Sequence, residues 1–109
     1  MIIISKHFFH KNYVGLSLWP FIILREEALK KDEVLINHER IHLRQQEELL
    51  ILPFYFLYFF EWLVRTAWHF NGYTAYKNMS FEREAYANED DLDYFEKRPS
   101  YAFIKYLWG

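Results

Sequence analysis

The sequence contains no cysteine, which excludes disulfides and thiolate metal ligands. Any transition metal must therefore be held by histidine and carboxylate side chains. Positive charge is not in excess either, because 13 Lys and Arg stand against 15 Asp and Glu, for a formal net charge of -2. Since these basic residues are scattered along the chain, we predict no binding to nucleic acid.

Long hydrophobic runs are also missing. The most apolar stretch, LLILPFYFLYFF (residues 49–60), contains Pro53 and is followed by Glu61. It falls short of the roughly 20 apolar residues that a membrane-spanning helix needs. The N-terminal MIIISK lacks the basic region and the cleavage site of a signal peptide. We therefore expect a cytoplasmic protein whose contact with a membrane, if it has one, is peripheral.

Glycine and proline are scarce, with 3 residues of each. Without repeats, linkers or low-complexity segments, the 109 residues predict a single domain over residues 1–109. Breakers and periodicity divide it. The predicted elements are a strand over 15–26, placed at a sheet edge by Pro20, and helices over 33–50, 54–69 and 81–95, the first capped by Asp32 and the last by Ser80. This order predicts an α+β domain that is mostly helical.

Aromatic residues are unusually frequent, at 22% of the chain, and many of them lie in the second predicted helix. This helix, residues 54–68, is apolar on every side, and so small a domain cannot cover it completely. We expect part of it to contact a membrane surface or a second copy of the chain in a homodimer. Tyr55, Tyr58, Trp62 and Trp68 are the expected interfacial residues. The alternative is a core helix packed beneath the helix that precedes it.

The first predicted helix contains His38-Glu39-Arg40-Ile41-His42, which fits the pattern His-Glu-x-x-His. Residues four positions apart are neighbours on one face of a helix, so both histidines can direct a ring nitrogen at one ion. Glu39 is close enough to a water on that ion to act as a general base. The pattern fixes only three positions, and the alternative is that both histidines are ordinary, partly buried helix residues.

A catalytic zinc keeps three protein ligands and one open position. The metzincin continuation is absent, because Gln45 and Glu48 stand where glycine and the third histidine belong. The segment SFEREAYANE (residues 80–89) offers Glu82 or Glu84 instead. The other histidines are minor candidates: His69 as an alternative third ligand, and His7 and His10 at a spacing that binds metal only weakly.

Glu82-Arg83-Glu84-Ala85 resembles the E-x-E-A-D segment of several gluzincin families, including the membrane-embedded prenyl-protein proteases. In those families the first glutamate is the zinc ligand, which implies Glu82 here. Tyr86 stands where the family has an aspartate that orients a histidine ligand. A frame with Glu84 as the ligand and Asn88 behind it therefore stays open.

The pattern also extends to His-Glu-x-x-His-x-x-Gln through Gln45. Together with LWPFIIL, the aromatic helix and AYKNMSFEREAYANE, it resembles an uncharacterised, small bacterial zincin-like family of the gluzincin type, over roughly residues 18–94. The resemblance implies a minimal zincin-like fold and a bound metal. We therefore expect Zn²⁺ on His38, His42 and either Glu82 or Glu84.

The predicted function is a zinc metallopeptidase in which Glu39 activates water for attack on a peptide or protein substrate. Tyr76 and Tyr86 are candidates for stabilising the transition state. By analogy with other zincins, the strand near residues 19–24 is expected to hold an extended peptide by β-augmentation. The alternative is a non-catalytic, membrane-associated or oligomerising module with a structural or vestigial metal site.

Overall fold

The computed structural model describes residues 2–8 and 13–107, so His10 lies outside the described residues. The strands are β1 (Ile2–Ile4), β2 (Gly15–Leu18) and β3 (Phe21–Leu24), and the α-helices are α1 (Glu33–Glu48), α2 (Leu52–His69), α3 (Gly72–Lys77), α4 (Ser80–Asn88) and α5 (Tyr94–Lys97). Three short 3₁₀ helices, Lys6–Phe8, Glu27–Lys31 and Ala102–Tyr106, connect or follow them. The predicted α+β, mostly helical class is confirmed.

The segment predicted as one strand forms a hairpin instead. A turn at Trp19 and Pro20, joined by a cis peptide bond, reverses the chain between β2 and β3. β3 pairs antiparallel with β2 and parallel with β1, in the order β1-β3-β2. The prediction of an edge strand that receives a peptide near residues 19–24 was therefore wrong, because β3 is paired on both sides. β1 and β2 are the two edges of the sheet, and Gln46 donates a hydrogen bond to the Ser17 carbonyl of β2 (2.9 Å).

Asp32 caps α1 as predicted, since its carboxylate accepts a hydrogen bond from the amide of Leu35 (3.0 Å). α1 ends at Glu48, and α2 starts at Leu52, so Pro53 lies in the first turn of α2, where its missing amide costs nothing. No single helix of the described residues is long and apolar enough for a membrane span, although α1 and α2, bent by 112°, pass that test together.

Ser80 does not cap α4 but is its first residue. Glu61 of α2 caps it from outside, because its carboxylate accepts hydrogen bonds from the Ser80 amide (2.7 Å) and hydroxyl (2.6 Å). A carboxylate at a helix N-terminus satisfies free amides and complements the helix dipole. The one acidic residue of the aromatic helix thus fixes the start of the helix that carries Glu82.

Two predicted boundaries around α4 also differ. Asn71 caps α3, a short helix that lies between the second and third predicted helices. The helix predicted over residues 81–95 stops at Asn88, and a separate short helix, α5, begins at Tyr94. The side chain of Asn37 on α1 explains the break between α4 and α5, because its amide nitrogen donates to the backbone carbonyls of Glu89 (2.9 Å) and Asp91 (3.0 Å). These bonds hold the chain after α4 against α1.

The core holds α1 between β2 on one side and α4 on the other. One buried cluster joins Ile41 of α1 to Ala85 of α4 and Tyr94 of α5. A second lies between α2, α4 and the C-terminal 3₁₀ helix, and consists of Phe54, Met79, Phe81 and Phe103. Because both clusters fix α4, the polar faces of α1 and α4 meet inside the protein.

Candidate metal centre

His38 and His42 lie one turn apart on α1 and face Glu82 on α4. The Nε2 atoms of the two histidines are 3.2 Å apart, and Oε1 of Glu82 lies 3.0 Å from His42 and 3.3 Å from His38. All three side chains are buried. The structure therefore brings together three of the residues named from the sequence, each offering one ligand atom to a common point.

The three atoms have the spacing that a zinc ion requires. Zn–N and Zn–O bonds of about 2.0–2.1 Å in a tetrahedron put neighbouring ligand atoms about 3.3 Å apart. The observed separations of 3.0–3.3 Å match this value. Two imidazoles and one carboxylate are also a ligand set of catalytic zinc sites. The donor set thus fits Zn²⁺ in both chemistry and spacing.

Gln45 fixes the tautomer of His42. Its amide nitrogen donates to the carbonyl of Phe81 (3.0 Å) and to Oε1 of Glu84 (3.0 Å), which turns its oxygen towards Nδ1 of His42 (2.8 Å). In the neutral ring Nδ1 then carries the proton, so Nε2 has the lone pair that a metal needs. The glutamine of the extended His-Glu-x-x-His-x-x-Gln pattern therefore supports the ligand from behind.

Glu89 does the same for His38, since its carboxylate lies 3.2 Å from Nδ1 of that ring. The rings of Tyr86 and His38 pack edge to face, with centroids 4.5 Å apart. The carboxylate behind His38 thus lies three residues after Tyr86, the position at which the resemblance to gluzincins implies an aspartate. Glu89 was missed from the sequence, although it follows Glu82 by seven residues, or about two helical turns.

The carboxylate of Glu82 favours a positive charge between the three side chains. Burial opposes a charge on His42, but the neighbouring carboxylate of Glu82 outweighs it and raises the pKa of His42 to about 9. Burial likewise opposes the charge of Glu82, whereas His42 and His38 hold the pKa of this carboxyl well below its usual range. In the metal-free protein a proton between His42 and Glu82 supplies that charge, and a metal ion would replace it.

Glu84 lies outside the cluster and is fully buried. Its oxygens accept hydrogen bonds from Gln45, from the Tyr94 hydroxyl (2.9 Å) and from both Nε and Nη2 of Arg98 (3.0 Å for Nη2). Of the two glutamates that the sequence left open, only Glu82 meets the histidines. Asn88, which was to stand behind Glu84, bonds to the Glu84 backbone carbonyl (2.8 Å).

Glu39 is buried on the side of α1 that faces β2. The hydroxyl of Ser17 lies 2.6 Å from Oε1 of Glu39 and 2.8 Å from its backbone carbonyl. A Cβ atom at Gly15 would stand 3.0 Å from Oε2 of Glu39, so the absence of a side chain at Gly15 makes room for the carboxylate. Ser17 and Gly15 of β2 therefore hold the carboxylate of Glu39 in one orientation.

Tyrosines surround the open side of the centre. Tyr58 of α2, which the sequence had suggested only as an interfacial residue, donates to the second oxygen of Glu82 (2.7 Å). Burial and then the charge of Glu82 raise the pKa of Tyr58 and of Tyr76 well above the usual range, so both stay donors. The Tyr76 and Tyr86 hydroxyls are 3.4 Å apart. Tyr76, unlike Tyr86, lines a cavity beside the centre.

A cavity of about 700 Å³ lies between β2 and α2 and reaches Glu39, His42 and Glu82. Its other walls are mostly apolar or aromatic, among them Leu16, Phe54, Phe59 and Trp62. Ligand pockets in proteins have this size and this composition of an apolar wall with few convergent polar groups. His69, at the end of α2, is not part of the cluster.

Comparison with known proteins gives no independent identification. No protein-family model matches the chain, and neither a curated protein nor a solved structure matches it significantly. The resemblance to the gluzincin families therefore stays a prediction, and the function must be argued from the geometry of the centre.

Proposed function

We propose that this chain is a zinc-dependent, metallopeptidase-like hydrolase in which His38, His42 and Glu82 hold one Zn²⁺ and Glu39 is the general base. The observation that carries the proposal is the triangle of buried ligand atoms, 3.0–3.3 Å apart, at a cavity that Glu39 also lines. When bound, zinc would polarise a substrate carbonyl and lower the pKa of a water to about 7.

The chain supplies the proton transfers. Glu39 lies beside His42 in the cavity wall. From this position Glu39 takes the proton of the attacking water and returns it to the leaving amine. The bond from Ser17 holds the carboxylate in place for both steps. Tyr76, which keeps its proton, is the donor of the wall that we assign to the oxyanion. Tyr86 acts through the Tyr76 hydroxyl and the His38 ring.

The first experiment is elemental analysis of the protein purified without added metal, for the wild type and for variants of single ligands. We expect about one zinc per chain, lost in His42→Ala and in Glu82→Gln. His69→Ala is the matched control, because it removes a histidine outside the cluster and should keep the metal. Zinc retained in Glu82→Gln would refute the gluzincin ligand set.

The second experiment separates a hydrolase from the rival, a non-catalytic module with a structural metal site. The rival is favoured by the burial of the ligands and by the hydrogen bond that engages Glu39. The assay is cleavage of a library of quenched fluorescent peptides by the zinc-loaded wild type and by Glu39→Gln. We expect turnover that falls by at least about a hundredfold in the variant at unchanged zinc content. No cleavage by a fully loaded wild type supports the structural site.

The proposal includes a cytoplasmic location with peripheral membrane contact. Fractionation of cells that express the tagged protein into cytosol and membranes tests it. The chain should leave the membrane fraction under conditions that keep integral proteins there.

A further inference from the structure

The polarity of α2 is the reverse of that expected for a helix in water. Every exposed residue of α2 is apolar, and Phe56 (82% exposed) and Trp68 (80% exposed) are the extreme cases. The polar residues of the helix all lie on its protected side, where they are bonded or half-buried. A helix at the surface of a water-soluble domain turns its polar face outwards.

The charged residues of α2 show the same reversal. Glu61 and Arg65 are paired with each other, with Nε of Arg65 2.7 Å from the Glu61 carboxylate, and both turn towards the protein. Glu61 also caps α4, and Arg65 donates to the Leu107 carbonyl (3.2 Å). The outward face of α2 therefore carries no charge at all.

The exposed apolar face is wide and long. Phe59 and Trp68 mark the two edges of this face. They are nine positions apart, and at about 100° per residue they lie about 180° apart around the helix axis. At about 1.5 Å per residue, the 18 residues of α2 make this face about 27 Å long. With aromatic side chains of 150–250 Å², its area is on the order of 1,000 Å², above the 300–600 Å² of the largest patch on a typical monomer.

Of the occupants that this face could have, a lipid surface covers it best. A facing helix from a second copy would cover a stripe of about 100°, so nearly half of this convex face would stay in water. A helix in the plane of a bilayer surface immerses its apolar half to a depth of about 5–10 Å. We propose that α2 docks the protein on a phospholipid surface in this way, with Phe56, Phe60 and Trp68 in the lipid.

The absence of charge on the face specifies the kind of lipid. Docking driven by apolar burial needs no anionic headgroup and persists in salt, whereas a polybasic surface requires both anionic lipid and low ionic strength. The probe is therefore a vesicle of zwitterionic phosphatidylcholine alone.

The docking surface also touches the cavity. Phe59, 58% exposed, belongs both to the apolar face and to the cavity wall, and Leu18 of β2 is exposed at the opposite wall. The cavity therefore opens beside the docked face. On the proposed function, which this step presupposes, the substrate class is a polypeptide held at the lipid surface. Docking itself depends on neither zinc nor turnover.

The test is flotation of the full chain with phosphatidylcholine vesicles, at low salt and at about 0.5 M NaCl. Wild type should float equally in both. The double variant Phe56→Gln/Phe60→Gln should partition about a hundredfold more weakly, at roughly tenfold for each aromatic side chain withdrawn from lipid. The matched control is Leu92→Gln/Ile104→Gln, two apolar residues of similar type exposed outside α2 (48% and 49%), which should float like wild type.

Trp68 gives a second readout. The exposed indole should shift its fluorescence to the blue when vesicles are added, and Trp68→Phe should lose most of the shift while still floating. Zinc binding measured on the same samples keeps the result separate from the proposed function. Failure of the wild type to float, binding only to anionic vesicles at low salt, or an equal loss in the control variant would each overturn the proposal. A concentration-dependent dimer, without flotation and abolished in the Phe56/Phe60 variant, would assign the face to self-association instead.

Discussion

The buried ion pair between Arg98 and Glu84 lies behind the candidate metal centre, where Glu84 binds Gln45, and removing its cation should lower the stability of the fold. The Arg98 side chain is 2% exposed and Glu84 is fully buried. Arg98 also binds Glu48 (2.9 Å), so a single cation balances two carboxylates. Arg98→Met keeps most of the side-chain volume but leaves both carboxylates without their counter-ion.

Breaking one partner of a buried pair costs about 3–5 kcal/mol, and the second carboxylate puts this case in the upper half of that range. The expected loss is a large part of the roughly 5–15 kcal/mol by which domains of this kind are stable. At about 4 °C per kcal/mol for a domain of this length, the melting temperature should fall by roughly 16–20 °C. Thermal and urea unfolding followed by circular dichroism measure both quantities.

A second variant tests the cause. In Arg98→Met/Glu84→Gln the carboxylate charge of Glu84 is removed together with the Arg98 cation, so roughly 2 kcal/mol of the lost free energy of unfolding should be recovered. Arg44→Met is the control, because Arg44 is 45% exposed and lies 3.9 Å from its partner Glu47, and its loss should cost less than about 0.5 kcal/mol. The reasoning fails if Arg98→Met costs no more than this control, or if the double variant is no more stable than the single one.

Three further outcomes follow from the same contacts. Gln45→Leu should weaken zinc affinity about 10–100-fold, because Nδ1 of His42 loses its acceptor. The control is Gln46→Leu, which removes a buried glutamine of α1 that binds the hairpin and should lower stability at unchanged zinc affinity. Titration with a competing chelator compares the zinc affinities of the two variants. Because the pKa of His42 is raised to about 9, zinc binding at neutral pH must displace a proton, so the affinity should rise with pH up to that value. Calorimetry in buffers of different ionisation enthalpy should show about one proton released per zinc, and a release near zero would contradict it. Glu61→Gln weakens the cap of α4 and removes the carboxylate that pairs with Arg65, so the free energy of unfolding should fall by about 2 kcal/mol; an unchanged denaturation midpoint would exclude this role for Glu61.

Much of the centre could be predicted because it depends on local spacing. Residues i and i+4 of a helix are always neighbours, so His38 and His42 had to share a face once α1 was recognised. The cap at Asp32 is equally local, since its partner Leu35 lies three residues away. Pro53 marked the start of α2 for the same kind of reason, because proline fits only the first turn of a helix.

The support of the two ligands lay beyond such spacing. Glu89 reaches His38 across 51 residues, and Tyr58 reaches Glu82 across 24. No pattern within a helical turn relates these positions, so their roles follow only from how α2 and α4 pack. The hairpin of β2 and β3 was missed for a different reason: the alternating run through Pro20 predicts one strand as well as two, and only pairing with β1 and β2 makes β3 central.

The sequence by itself determined which residues can bind a metal, because the absence of cysteine and the His-Glu-x-x-His spacing leave only histidines and carboxylates in fixed local positions. It also determined that an aromatic helix exceeds what a small domain can bury. Tertiary structure decided which glutamate meets the histidines, since the rotation of α4 is set by Ile41, Ala85 and Phe81 in the core. It also decided which way α2 faces, because Glu61, Arg65 and Tyr58 find their partners inside the protein and so turn the apolar half of the helix outwards.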